Sequence, residues 1–412
     1  MKKIALFLLL TCFFATGQES ISIKKFNSTL LNTERYLKIF VPDSYTTNPN
    51  NTYPVAIVLD AEYLFDIYVA NAKVFAAEKN APEQIVVGIF QNQEGERTND
   101  CDFSVDTGLP TEESTRFYGF IRQELINFID DNYRTSLFKT IVGSTLTANF
   151  TNYFFLEPNH IFNAYILINP TTHISMPEKL EAKSQSLTDQ VFYYLCNSNI
   201  NSSDNKKEIN NINNLLKLSE VESFHYKFEN FENSSKPAMI GQAIPSAMDM
   251  IFALFSSISK EEFDTNIADL SPPEAIAYLE KKYVEIEYLF GSNMKIRESD
   301  IFRVEPVIID KENGDYLEEF GKMILRLYPD SPIGDYYIGL YYETGYDYKK
   351  ALKYYKNGYA KIGSDNPNAD AYYGNIERVL EKQRAQKLGL PVDGENNDES
   401  IEDDGTEGDE GN

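Results

Sequence analysis

Apolar residues with branched β-carbons occur in short runs along the first part of the chain, and each run predicts a buried strand. In KTIVGSTLTA (Lys139–Ala148) a strand is expected first, then a sharp turn at Gly143, then a helix that begins near Leu146. VFYYLCN (Val191–Asn197) and SFHYKFENF (Ser223–Phe231) predict further strands. The pattern indicates strands that alternate with helices, with one strand–turn–helix at Gly143.

The strand pattern stops near Ser256–Pro273, where a polar stretch ends in Ser-Pro-Pro, a typical start of a helix. Beyond it, Pro272–Phe290 and Asp315–Gln386 are predicted to be helical, with short turns that contain Gly, Pro or Asn. The 412 residues, 42% of them hydrophobic, are more than one compact domain usually holds. We therefore expect a domain over residues 18–256 and a small all-α domain over 272–386.

Within the helical part, DYYIGLYYETGYDYKKALKYYKNGYAKIG (Asp335–Gly363) resembles a tetratricopeptide repeat. Its spacing places Gly339 on the first helix of the pair and Tyr355 on the second, with Gly345 in the turn where the two helices cross closely. One or two repeats are too few for the concave groove of a long solenoid. We expect most of the many tyrosines here to pack in a core and the rest to form a contact surface.

The turn at Gly143 is where a hydrolase with a serine nucleophile carries the motif G-x-S-x-G. Here the same frame reads Gly143-Ser144-Thr145-Leu146-Thr147. Thr145 stands where the serine is expected, and Thr147 replaces the second glycine. The turn is thus present, whereas its usual nucleophile is not.

Three other segments also resemble a known family of hydrolases. VAIVLDAEYLF (Val55–Phe65), IVVGIFQNQEGERTND (Ile85–Asp100) and FNAYILINP (Phe162–Pro170) resemble the putative-esterase family of α/β-hydrolases, which includes esterase D and siderophore esterases. The resemblance covers roughly residues 21–255 and implies a mostly parallel sheet flanked by helices.

The same resemblance implies where a pocket would lie. It assigns Asp60, Ala61, Asn92, Ser144, Thr145 and Leu146 to this vestigial pocket. The backbone N–H groups of Ala61 and Leu146 are the expected donors of an oxyanion hole, and Ser144 is expected to point away from the pocket.

Catalysis in this fold requires a nucleophile, an acid and a histidine. The chain has three histidines, His160, His173 and His225, and none follows Tyr226, where the family's catalytic histidine is expected. His160 or His173 is considered as a base but is better interpreted as a polar loop residue, and His225 as a strand residue bonded to a neighbour. Asp204 and Glu208 are candidates for the acid, or else solvated surface charges.

Thr145 itself is a weak candidate for the nucleophile. Threonine does serve as one where a base is adjacent. A β-branched residue at positive φ is strained, however, so we expect Thr145 to lie in a relaxed turn rather than in a true elbow.

The N-terminus predicts export. Lys2 and Lys3 precede an apolar run from Ile4 to Phe14, so residues 1–17 are expected to be a cleaved signal peptide. Cys101 and Cys196 would then be the cysteines of the mature chain, either joined in one disulfide or free. No other apolar stretch is long enough to predict a transmembrane helix.

The negative net charge of the chain limits the kinds of partner that we expect. The formal net charge is −25, and residues 393–412 contain ten acidic and no basic residues, which predicts a disordered acidic tail over 391–412. Nucleic acid is an unexpected partner because its phosphates are repelled. No sequence motif for a metal or cofactor is apparent, so none is expected.

Two functional hypotheses follow. In the first, the chain is an exported esterase-like pseudoenzyme, a scaffold or binding subunit with a protein partner in the periplasm or outer envelope. In the second, it is an exported carboxylesterase-type hydrolase that uses Thr145 or an unrecognised site. A third possibility is a ligand-binding module that takes a small molecule, such as an ester or a sugar, in the vestigial pocket.

Overall fold

The structure is a computed structural model that describes residues 20–91, 93, 95–198, 203–311, 314–362, 366 and 368–391. The predicted signal peptide and residues 392–412 of the predicted tail lie outside this part of the chain. By its internal contacts the chain divides into two compact units, one comprising residues 1–257 and 282–294 and the other 258–281 and 295–412. The chain therefore passes between the two units three times, whereas the sequence predicted a single boundary.

The first unit is built on one sheet, which has eight strands among the described residues. The strands are β1 (Ile21–Ser28), β2 (Thr33–Phe40), β3 (Tyr53–Val58), β4 (Ile85–Ile89), β5 (Thr135–Ser144), β6 (Ala164–Ile168), β7 (Val191–Ser198) and β8 (Phe224–Phe231).

The strand order is β1-β2-β4-β3-β5-β6-β7-β8. The β1–β2 and β2–β4 pairs are antiparallel, and all other pairs are parallel. Strands β3 to β7 are buried along their length except at the start of β5, as the apolar runs require in a sheet covered on both faces. The prediction of a mainly parallel sheet flanked by helices is confirmed.

The helices of this unit connect the strands. They are α1 (Ser44–Thr47), α2 (Phe65–Ala77), α3 (Glu96–Cys101), α4 (Glu112–Gly119), α5 (Ile126–Asn132), α6 (Leu146–Phe155), α7 (Met176–Ser184), α8 (Ser203–Leu216) and α9 (Lys236–Ile251). A π-helical segment, Phe120–Leu125, joins α4 to α5, and a 3₁₀ turn, Ala253–Phe255, follows α9.

The second unit contains helices and, among its described residues, no strand. They are α10 (Lys260–Asn266), the first part of α11 (Pro272–Phe290), α12 (Glu298–Asp310), α13 (Leu317–Leu327), α14 (Ile333–Thr344), α15 (Tyr348–Ala360) and α16 (Ala369–Leu388). Helix α11 has the bounds that the sequence predicts.

The close approach between α14 and α15 occurs at Gly339 and not at Gly345. A β-carbon on Gly339 would lie 2.7 Å from the ring of Tyr355, whereas one on Gly345 would meet only Tyr341 O at 3.5 Å. Gly345 does lie in the turn between α14 and α15, as predicted, but the close contact between the two helices is at Gly339. Tyr355 is 1% exposed, so its ring lies in the core of the helical unit, where only a glycine leaves room for it.

The two cysteines of the described chain are both buried and free. Cys101 ends α3 and Cys196 lies on β7, so the alternative of a disulfide between them is not realised. Among the described residues, no helix has the length and apolar character needed to cross a membrane.

Candidate functional site

The turn between β5 and α6 has the strained backbone of a nucleophile elbow. Thr145 has φ 58° and ψ −109°, so the expected relaxed turn is wrong. Three backbone hydrogen bonds hold it: Thr145 N–H donates to Ile168 O at 2.9 Å, and Thr145 O accepts from Thr171 N–H and Asn149 N–H, each at 3.1 Å. Such strain persists only where the surrounding structure over-determines it.

The residues at either side of Thr145 explain why the strand and helix can approach. A β-carbon on Gly143 would lie 2.6 Å from the backbone carbonyl carbon of Thr147, so no side chain fits there. Thr147, where the motif has its second glycine, uses its side chain inside the turn. Its hydroxyl accepts the Ser144 N–H at 2.7 Å and donates to Asp60 Oδ2 at 2.6 Å.

A buried ion pair lies directly beside the elbow. Asp60, which follows β3 and is 1% exposed, binds Arg97 through both carboxylate oxygens, at 2.5 Å to Nε and 3.2 Å to Nη2. Burial alone would lower the pKa of Arg97, but its hydrogen bonds to Asp60 and the charge of Asp60 outweigh burial and raise it. The guanidinium therefore stays charged.

Arg97 also contacts the residue at the nucleophile position. Its Nη2 donates to Thr145 Oγ1 at 2.8 Å and to Ser144 O at 2.8 Å, while Thr145 Oγ1 donates to Ser144 O at 2.7 Å. A guanidinium donates hydrogen bonds only, and a backbone carbonyl is not a general base. Among the described residues, the hydroxyl is hydrogen-bonded to these two groups, and neither of them can remove its proton.

Further polar groups surround Asp60. Burial, and then the charge of Asp60, raise the pKa of the neighbouring Tyr63 phenol, which therefore stays protonated. Behind Asp60, the side chain of Gln91 accepts the Asp60 N–H at 3.1 Å and donates to Asp100 at 3.1 Å. Asp100 is paired with Arg35 at 2.6 Å, so a second buried ion pair supports the first.

The expected oxyanion hole is only partly available. The N–H of Ala61 donates to Ile89 O at 3.2 Å, so this expected donor is already engaged, which corrects the assignment. Leu146 is the first residue of α6, where N–H groups point out of the helix. Asn92 lies outside the described residues. Ser144 is fully buried, and its Oγ has no hydrogen-bond partner within the described chain.

Two of the three histidines lie at the wrong edge of the sheet. Thr145 follows the C-terminal end of β5, whereas His160 precedes β6 and His225 is the second residue of β8. Because the strands β5 to β8 are parallel, both histidines belong to the opposite edge. His225 bonds to Gln190 and stacks on Phe192, with ring centres 4.5 Å apart.

His173 follows β6 at the same edge as Thr145, but both of its ring nitrogens are engaged. Nδ1 lies 2.8 Å from Ser175 Oγ, and Nε2 lies 3.0 Å from Val105 O. A carbonyl oxygen can only accept, so Nε2 carries the proton and is no base in this arrangement. The acid candidates, Asp204 and Glu208, both lie in α8, and no histidine of the described chain donates a hydrogen bond to Glu208.

The described residues do not form a recognisable metal centre. Among them, no group of three or more His, Cys, Asp or Glu side chains is placed to hold a metal ion. What the residues around Thr145 do form is a closed polar network of one carboxylate, one guanidinium and two threonine hydroxyls.

Arg97 is the residue that sequence analysis missed. It lies in the segment GERTND, which was used only to support the family resemblance. Its contact with Thr145 joins residues 48 positions apart, so neither periodicity nor spacing could have indicated it.

Comparison with known proteins agrees with this architecture. A crystal structure of an uncharacterised protein from Capnocytophaga ochracea matches 88% of this chain and 99% of its own length, with 25% identity and a TM-score of 0.76. An IroE-like serine hydrolase from Shewanella oneidensis matches 74% of this chain and 98% of its own length, with 18% identity and a TM-score of 0.54. Among curated proteins, nothing matches the chain.

The fold and elbow thus define an α/β-hydrolase-type protein. Residues 28–186 match the family model described as Putative esterase. The match includes Asp60, Arg97, Thr145 and Thr147. The resemblance of this segment to the putative-esterase family was predicted from the sequence and is confirmed.

Proposed function

We propose that the chain is an esterase-like protein without hydrolytic activity, which acts as a binding or scaffold subunit in the cell envelope. The observation that carries the proposal is the Arg97–Thr145 contact of 2.8 Å. An active enzyme of this kind needs a general base at the nucleophile's hydroxyl. In this chain a permanently charged donor occupies that place, and the donor is itself fixed by the buried carboxylate of Asp60.

The histidines support the same proposal. His160 and His225 belong to the other edge of the sheet, and the ring of His173 is committed to Ser175 and Val105. A rearrangement that made His173 a base would have to break its contact with Val105 O and displace Arg97 from Thr145. The polar network that fills the elbow therefore stabilises the fold rather than a transition state.

The envelope location rests on the predicted signal peptide, and the partner is proposed to be a protein. The helical second unit offers exposed tyrosines for such a contact, including Tyr359 at 40% and Tyr373 at 47% exposure, whose ring centres are 5.7 Å apart. Tyrosine is enriched at protein interfaces because its ring buries area while its hydroxyl finds a partner. The resemblance of this unit to tetratricopeptide repeats belongs to the same proposal.

The alternative function is an exported carboxylesterase-type hydrolase, and one observation favours it. Thr145 adopts the positive φ of a true elbow, with its hydroxyl beside a guanidinium that would favour an alkoxide. In this alternative, a base would have to be supplied by a residue or partner not yet seen at the site.

An assay of the hydrolysis of short-chain aryl esters distinguishes the proposed function from the alternative. We expect the wild-type mature chain to hydrolyse aryl acetate and butyrate no faster than the matched Thr145→Ala variant. Turnover that the substitution abolishes would establish the alternative. The binding role is tested by isolating the tagged chain from its native envelope in mild detergent. Stoichiometric co-purification of a protein is expected, and a chain that emerges alone would contradict the subunit role.

A further inference from the structure

One face of helix α15 carries three exposed lysines that form no ion pair within the described chain. Lys349, Lys353 and Lys356 follow one another at spacings of four and three residues, so they lie on the same side of the helix. The other lysine of the helix, Lys350, is paired with Asp347 at 3.2 Å. Helix α15 itself contains no acidic residue. This lysine face is therefore locally positive, although the chain as a whole has a formal charge of −25.

An open groove lies at the N-terminal end of the lysine face. It has a volume of about 640 Å³, and its walls are the turn before α15 and the end of α16, with Lys349 and Lys387 in the lining. The Gln386 side chain donates to the backbone of the turn at 3.2 Å and joins the two walls. Asp347 contributes a carboxylate, but Lys350 neutralises it. The positive end of the α15 dipole adds to the attraction for negative charge here.

The chain leaves the described structure beside this groove. Gly389 follows α16 with a left-handed φ of 67°. Its N–H donates to Gln386 O at 3.2 Å, and the Leu390 N–H donates to Ala385 O at 3.0 Å. These two bonds are those of a Schellman motif, which ends a helix and turns the chain away from the helix axis. The residues after 391 therefore start next to the groove and not along an extension of α16.

The segment that starts there has the opposite charge. Residues 393–412 contain ten acidic residues and no basic residue. A chain of net charge −25 repels this acidic tail from most of its surface, whereas the unpaired lysines attract it. The lysine face is about 10 Å long, and an extended chain covers about 3.3 Å per residue, so a short part of the tail spans it. A tether of this kind gives an effective concentration on the order of millimolar, so weak contacts suffice.

We propose that the acidic tail, residues 393–412, binds back onto the lysine face of α15 in the same chain. Its carboxylates pair with Lys349, Lys353 and Lys356, and it reaches them through the groove beside Lys387. The contact covers a positive surface of the helical unit, so an acidic partner of that surface has to displace the tail first. The proposal does not depend on the function proposed for the elbow.

Zero-length crosslinking of the full mature chain tests the contact. A carbodiimide joins a carboxylate to a lysine only where the two groups touch, and the tryptic peptide after Lys387 carries the whole tail without a further lysine or arginine. We expect the tail to be linked to Lys349, Lys353 or Lys356, and not to Lys207, an exposed lysine of α8. In a mixture of unlabelled and ¹⁵N-labelled chains, each link should join peptides with the same label. No link to the lysine face, an equal yield at Lys207, or links between differently labelled peptides would overturn the proposal.

Protection of the tail from a glutamate-specific protease tests the role of the charges. A variant that combines Lys349→Gln, Lys353→Gln and Lys356→Gln should be cleaved in the tail at least about threefold faster than the unsubstituted chain, relative to a free peptide of residues 391–412. Arginine at the same three positions keeps the charges and should keep the protection. Sodium chloride at about 0.5 M should act like the glutamine variant, because salt screens contacts between exposed charges. Lys207→Gln is the control, and equal cleavage of all these variants would contradict the proposal.

Discussion

Arg97 Nη2 lies 2.8 Å from Thr145 Oγ1, and the same guanidinium is fixed by both carboxylate oxygens of Asp60. The position that normally holds an activated nucleophile thus holds a hydroxyl that accepts a hydrogen bond from a cation. This arrangement converts the most reactive turn of the fold into part of a buried polar network. Its energetic and chemical consequences are measurable separately.

The buried ion pair should dominate the stability of the elbow. Asp60→Asn leaves Arg97 without its counter-charge, and breaking a buried pair by removing one partner costs about 3–5 kcal/mol. Asp60 is 1% exposed but the Arg97 side chain is 28% exposed, so we expect about 3 kcal/mol in urea unfolding. Arg97→Met should lose a similar amount. The double variant should lose clearly less than the sum, and an additive result would mean that the pair is not coupled.

The strained backbone at Thr145 should be relieved by glycine. Thr145→Ala and Thr145→Gly both remove the hydroxyl, so their difference isolates the backbone. Relief of about 1–3 kcal/mol of strain at φ 58° exceeds the roughly 0.5–1 kcal/mol that glycine loses in chain entropy. Denaturant unfolding should therefore show Thr145→Gly to be more stable than Thr145→Ala by about 1 kcal/mol. A less stable glycine variant would show that the elbow is not strained.

The close approach of β5 and α6 at Gly143 should not tolerate a methyl group. A β-carbon there would lie 2.6 Å from backbone atoms of Thr147, which cannot move as a side chain does. We expect Gly143→Ala to lower the free energy of unfolding by about 1–3 kcal/mol, as overpacking does. Gly374→Ala is the control, because a β-carbon at this helical position meets nothing within 4 Å. It should be neutral or stabilise by up to about 1 kcal/mol, and equal losses for both would contradict the packing argument.

The helical unit should lose stability in acid through Glu343. Burial alone would raise the pKa of Glu343, but hydrogen bonds from Arg378, Tyr355 and Lys382 outweigh it and lower the pKa to about 2. The folded state therefore favours the carboxylate, and the stabilisation is complete above the usual value of 4.5 and is lost as pH falls toward 2.

We expect Glu343 to contribute about 2 kcal/mol at neutral pH, reduced from the ideal value because its two cationic partners are partly exposed. Glu343→Gln should remove this contribution and flatten the acid limb of the stability curve of the helical unit. Glu377→Gln, on an exposed site of α16, is the control. An unchanged slope in Glu343→Gln would locate the acid sensitivity elsewhere.

The fold was largely predictable because β-branched runs flanked by turns have few alternatives. The start of α6 at Leu146 was predicted correctly, since the turn glycine Gly143 precedes it. Both ends of α11 were also predicted correctly, and a Ser-Pro-Pro step marks its start. Backbone strain at Thr145 was mispredicted because local preference opposes it. Two tertiary hydrogen bonds, with Ile168 and Thr171, hold the residue there together with one local bond, from Asn149.

The candidate site was less accessible to sequence reasoning. Asp60 and Thr145 were placed in one pocket by family resemblance, and the structure does bring both to Arg97. Which charge neutralises Asp60 depends on where the short helix α3 places Arg97, and a sequence does not specify that contact. The engagement of the Ala61 N–H by Ile89 O is likewise a tertiary detail that a motif cannot convey.

Covalent trapping of the Thr145 hydroxyl shows whether Thr145 is an activated nucleophile. A fluorophosphonate reacts with an activated hydroxyl nucleophile and adds a phosphonyl group to it, which intact-protein mass spectrometry detects without any assumption about substrate. The proposed lack of hydrolytic activity predicts that the mature chain stays unmodified, and that Arg97→Met stays unmodified as well because no base is restored. A stoichiometric adduct that maps to Thr145 and disappears in Thr145→Ala would contradict it and establish an active hydrolase.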